Sequence, residues 1–162
     1  MAKTMAIQPA NKDLRARIIA ETTSWIGTPY QHQASLKNVG CDCLGLVRGI
    51  WRAIYQTEPE LTPAYSPDWA ESSKCEQLAF AARRHMQEIS VSEFQPADLL
   101  VFRWRPHVPA KHLAITVSPT SMVHAQQGAS VCEVPVSRWW QRHLAYAFRF
   151  PSIVTEHQKG MP

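Results

Sequence analysis

The sequence predicts an α+β fold, N-terminal helices packed on a C-terminal antiparallel β-sheet, and three observations carry that prediction. Apolar residues at helical spacing fill the first half of the chain. Short runs rich in branched and aromatic residues fill the second. The turn "QPAD", 95–98, divides the two regimes. At 162 residues the chain holds one core of useful size and is too short for two ordinary domains. A single domain over 12–150 is therefore expected, with mobile tails at 1–11 and 151–162.

In "NKDLRARIIAETTSW", 11–25, Leu14, Ile18, Ile19 and Trp25 keep a helical period, and Gly27 and Pro29 supply the stop. "TPYQHQASLKNVGCD", 28–42, has turn chemistry and reads as a loop. Helix two starts at about Cys43. Leu44, Val47, Ile50, Trp51 and Ile54 form its apolar stripe, Arg48 and Arg52 face the other way, and it ends before Pro59. "PELTPAYSPD", 59–68, is a proline-rich connection, and a third helix is expected from about Asp68, as N-cap, to His85. Strands are expected at 98–104, 112–117, 121–126, 130–134 and 143–150, with a helical turn in "VSRWWQRH" between the last two.

Composition removes several function classes. With 45% hydrophobic and 19% charged residues the chain is globular. Its longest apolar runs, such as "LLVF", fall far short of the roughly 20 residues of a bilayer helix, so no membrane span is expected. The first residues lack the apolar core of a secretory signal, which implies synthesis in the cytoplasm without a signal peptide. A net charge of +4 suits an anionic partner, but the cations are scattered and not interleaved with aromatics, so nucleic acid is not expected. Cys41, Cys43, Cys75 and Cys132 form neither CxxC nor a Cys/His knuckle, so neither a metal nor another cofactor is implied.

Chemistry concentrates at "GCDCLGLVRGIW", 40–51. A cysteine in the first turn of a helix lies near unpaired backbone N–H groups and the positive end of the macrodipole, both of which favour thiolate. Cys43 takes that position, and a thiol titrating well below a free one is expected there. Cys41 lies outside the helix and reads as packing. Downstream, "KHLAITV" opens a strand with His112 and "MVHAQ" carries His124 on the next strand. On one face of an antiparallel pair such residues come within reach of each other. If the sheet packs on helix two, His112 contacts Cys43 as base and His124 orients His112, the arrangement of a nucleophilic acyl-transfer site.

"GTPYQHQ", "CDCLGLV", "KHLAI" and "MVHA", in this order, resemble the NlpC-type papain-like peptidases of bacterial peptidoglycan. "GCDCLGLVRG" and the ending "AFRF" are most similar to the single-domain form carried by tailed phages and gene transfer agents. The resemblance spans roughly 12–150. It implies Cys43 as nucleophile, His112 as general base and His124 as orienting residue, with Tyr30 and Asp42 beside the nucleophile at the substrate and oxyanion site. It also implies hydrolysis of an amide bond in the peptidoglycan peptide stem, commonly between D-glutamate and the diamino acid, in a virion-like particle whose proteins are partners and which acts at the cell wall or periplasm. Leu44 stands where the family commonly has serine, and "QHQA" where it has a tryptophan with two glycines. Two alternatives stay open: a papain-like acyltransferase or amidase with the same residues, and a non-catalytic tail component.

Overall fold

The structure, a computed structural model, describes residues 10–60 and 75–153. Helix α1, Lys12–Ser24, is capped by Asn11, whose side chain accepts from the Leu14 N–H at 2.9 Å. A two-stranded ribbon follows, β1 Ser35–Leu36 and β2 Gly40–Cys41, and leads directly into α2, Cys43–Tyr55. Helix α3, Gln77–His85, precedes β3 Gln87–Ile89, β4 Asp98–Phe102, β5 His112–Thr116, β6 Ser121–His124 and β7 Cys132–Pro135. A short α4, Arg138–His143, and β8, Leu144–Arg149, complete the domain. The six longer-range strands form one antiparallel sheet in the order β3-β8-β4-β5-β6-β7. Among the described residues no helix is long and apolar enough to cross a membrane.

Both faces of the central strands are covered, which is why β4 and β5 are buried along their whole length and "LLVF" shows no polar alternation. One face carries Leu99, Val101, Leu113, Ile115, Val123 and Phe148 into the main core with α1 and α2. The other carries Leu100, Phe102, Ala114, Met122 and Ala147 against Val136 and Trp140. Helix α2 is seated by two glycines. A Cβ on Gly45 would stand 1.8 Å from the Ala34 carbonyl oxygen, and one on Gly49 would stand 2.2 Å from the Trp25 ring.

The five expected strands and helices one and two are present within a few residues of their expected bounds. Three expectations need correction. The third helix begins at Gln77, because the Glu76 carboxylate is drawn to Arg103 and to the Ala110 N–H at 3.0 Å and its backbone is held out of the helix at ψ 60°. The expected Asp68 cap lies outside the described residues, as do 61–68 of the connection. The amino-terminal tail is shorter than 1–11: Ala10 is buried and donates to the Phe150 carbonyl at 2.9 Å, and Asn11 is the cap of α1. At the other end Pro151 accepts from the Tyr55 hydroxyl at 2.6 Å, so the fixed chain runs past 150. The remainder of both tails, 1–9 and 154–162, lies outside the described residues. The edge strand β3 was not expected at all, and it pairs with β8 from Gln87 to Ile89.

Candidate active site

Asp42 caps α2. One carboxylate oxygen accepts from the Gly45 N–H at 2.7 Å, and the other from the Gln33 N–H at 2.8 Å, where Gln33 takes a left-handed φ of 64°. The departure "QHQA" is thus the loop that holds the cap. With Gly45 so satisfied, the N–H groups of Cys43 and Leu44 remain as the donors at the helix start. The Cys43 sulfur donates to the Lys111 carbonyl at 3.7 Å, immediately before His112.

His112 and His124 share one face of the sheet. Ala114 pairs with His124, so His112 lies diagonally across from it, and the two rings meet through a bond of 2.9 Å between His112 Nε2 and His124 Nδ1. Both are buried. Helix α2 packs on the opposite face of β5, through Leu113 and Ile115. Cys43 and His112 therefore reach one cleft around the amino-terminal end of β5, with α2 on the face opposite the histidines.

The cleft there measures about 460 Å³, and Cys43, His112, Tyr30 and Asp42 all line it. His124 stands behind His112. Other walls, unassigned from sequence, come from His32, Leu78, Trp104, Lys111 and the Gln126-Gln127 pair. Leu78 brings α3 to one side of the cleft. Two indoles hold His112: Trp104 stacks on it at 5.1 Å and 30°, and Trp140 at 5.5 Å and 24°. Trp140 also meets His124 edge-on at 5.2 Å and 88°. Their only trace in the sequence is the clustering of tryptophans in "RWRP" and "SRWW", which has no period to read.

The electrostatics reverse the expected thiolate. Burial pushes the Cys43 thiol up to about 12, the Asp42 carboxylate adds to the rise, and the N–H groups of Leu113, Leu44 and Cys43 itself pull the other way without prevailing. Burial and then the neighbouring His124 push His112 down to about 3, and burial also lowers His124. Helix-start effects are worth up to ~2 kcal/mol, whereas burial moves a group by several pKa units at about 1.36 kcal/mol each, so burial wins. Both shifts favour the neutral thiol and the neutral imidazole. Burial, then Asp42, Cys43 and Cys41, raise Tyr30, which keeps its hydroxyl proton. Cys41 is buried in the main core, consistent with packing. Among the described residues no group of three or more His, Cys, Asp or Glu is placed to hold a metal ion.

The family model described as NlpC/P60 family matches residues 27–149. The NlpC/P60 domain of the peptidoglycan hydrolase SagA is 26% identical with a TM-score of 0.61, covering 84% of this chain and 98% of that one. A lipoprotein-like NLP/P60 protein of Staphylococcus aureus is 21% identical with a TM-score of 0.61, covering 92% of this chain. An NlpC/P60 family protein of Bacillus cereus is 18% identical with a TM-score of 0.62, covering 90% of this chain. The chain spans 45% of the Staphylococcus protein's length and 42% of the Bacillus protein's. No curated protein sequence matches the chain closely enough to count as a relative.

Proposed function

Because the chain belongs to the NlpC/P60 family, we propose that it is a cysteine peptidase that hydrolyses an amide bond in the peptide stem of peptidoglycan, with Cys43 as nucleophile, His112 as base and His124 as the residue that orients it. The observation that carries this reading is the cleft itself, where a helix-start cysteine and the outer member of a 2.9 Å histidine pair open on the same space. The likeness to the SagA hydrolase domain supports the substrate class.

His112 spends Nε2 on His124, which leaves Nδ1 for the thiol. In the tautomer that does this, His112 Nε2–H donates and His124 Nδ1 accepts. The resting groups are neutral, so the thiol proton passes to His112 as sulfur attacks the carbonyl. The oxyanion forms at the helix start, where the N–H groups of Cys43 and Leu44 and the Tyr30 hydroxyl donate to it. Asp42 does not touch it: its two oxygens hold Gly45 and Gln33, and it positions the helix start. His112 then gives its proton to the departing amine, and activates the water that cleaves the thioester.

The bond we assign is that between D-glutamate and the diamino acid, and the setting a phage-tail or gene-transfer-agent particle acting at the cell wall; "GCDCLGLVRG" and "AFRF" support the setting. Digestion of purified peptidoglycan with wild type and Cys43→Ala, with the new amino groups identified by mass spectrometry, tests it. Wild type is expected to free the diamino acid amine and the variant not. Ligated stems without hydrolysis would favour the acyltransferase alternative, and no change in either reaction would favour a structural component.

A further inference from the structure

This inference rests on the peptidase reading above. The group that protonates a departing amine stands on the leaving-group side of the scissile bond, so the surface beyond His112 is where the leaving residue lies. That surface is aromatic. Trp104 stacks on His112 and lines the cleft. Trp139 stands next, 5.9 Å from Trp104, and is 49% exposed. Its ring is held on one side by His143, stacked at 4.0 Å and 24°, and by the edge of Trp140 at 4.9 Å and 88°. His143 in turn is fixed by its Nδ1, 2.6 Å from the Trp139 carbonyl oxygen. An indole so exposed and so firmly held is apolar surface set out for a ligand, and it stands beside Trp104, which lines the cleft.

We propose that Trp104 and Trp139 form a leaving-group subsite that takes the long unbranched alkyl stem of the residue whose amine departs, and so selects diamino acids over short residues. The contact is with the stem. The two ring-to-ring steps, 5.1 and 5.9 Å, lay out a track along which an extended side chain passes from the imidazole to the exposed indole.

The test is hydrolysis of L-Ala-γ-D-Glu-X-D-Ala peptides, with X as diaminopimelate, lysine, norleucine or alanine, by wild type, Trp139→Ala and Trp139→Phe. Wild type is expected to favour the three long residues over alanine by about tenfold in kcat/KM. Trp139→Ala should remove most of that preference, raising KM for the three long peptides far more than for the alanine peptide, and Trp139→Phe should restore most of it. Equal rates for all four peptides in wild type would overturn the subsite, as would a uniform loss in Trp139→Ala. Discrimination against norleucine would also overturn it, since charge and not the stem would then be recognised. If wild type cleaves none of the peptides and leaves peptidoglycan intact as well, the peptidase reading falls and the subsite with it; turnover without selectivity sinks the subsite alone.

Discussion

Replacing His112 by glutamine should make the domain relatively more stable in acid, by an amount the structure fixes. His112 is 5% exposed, walled by Trp104, Trp140 and Phe102, and bonded to another histidine and not to a carboxylate. Its folded-state pKa lies at about 3, against an unfolded value near 6.5. The folded value is depressed, so below about pH 6.5 the unfolded chain takes up the proton first and the native state loses stability as pH falls toward about 3. Stability from this group is fully present above the unfolded value. Each unit is worth about 1.36 kcal/mol, so between pH 7 and pH 4 wild type loses on the order of 3 kcal/mol through His112 alone. His112→Gln cannot titrate there. Urea unfolding of both proteins at pH 7, 5.5 and 4 measures the difference, and the carboxylates titrate alike in both and subtract out. The gap should move by about 3 kcal/mol in favour of the variant. Parallel curves would refute a buried neutral imidazole.

Three further outcomes are expected. Alkylation of Cys43 by iodoacetamide should keep rising through pH 9, because burial holds the thiol up to about 12; a plateau between pH 5 and 8 would reveal a thiolate–imidazolium pair instead. Gly45→Ala should lower stability by about 3 kcal/mol in thermal unfolding, since its Cβ would meet the Ala34 oxygen at 1.8 Å and no side-chain rotation relieves a backbone contact. His124→Gln should retain measurable hydrolysis because an amide can still hold His112, whereas His124→Ala should fall roughly 10 to 10³-fold; the reverse order would remove the orienting role.

What sequence could and could not convey follows from the range of the forces involved. The start of α2 was legible because Asp42, Cys43 and Gly45 are neighbours in the chain, and the histidine pair because strand period and a short turn fix its diagonal. Strand β3 escaped because three half-polar residues on a sheet edge carry no apolar run. The start of α3 was missed because Glu76 answers to Arg103 and Ala110, some thirty residues away. Alternation places His112 and Leu113 on opposite faces of β5, but nothing local says which face the helix will take. Burial raises the Cys43 thiol against the thiolate expectation for the same reason: a helix start is local, and the burial that opposes it is assembled by the whole fold.

Whether Cys43 and His112 act as one unit is tested most directly by kcat/KM for the stem peptide in Cys43→Ala, His112→Ala and the double variant. Residues that share one step lose together, so the double variant is expected to be no slower than either single one within a few-fold. Losses that multiply in the double variant would mean that the two residues act independently, and would contradict the assignment of His112 as the base for Cys43.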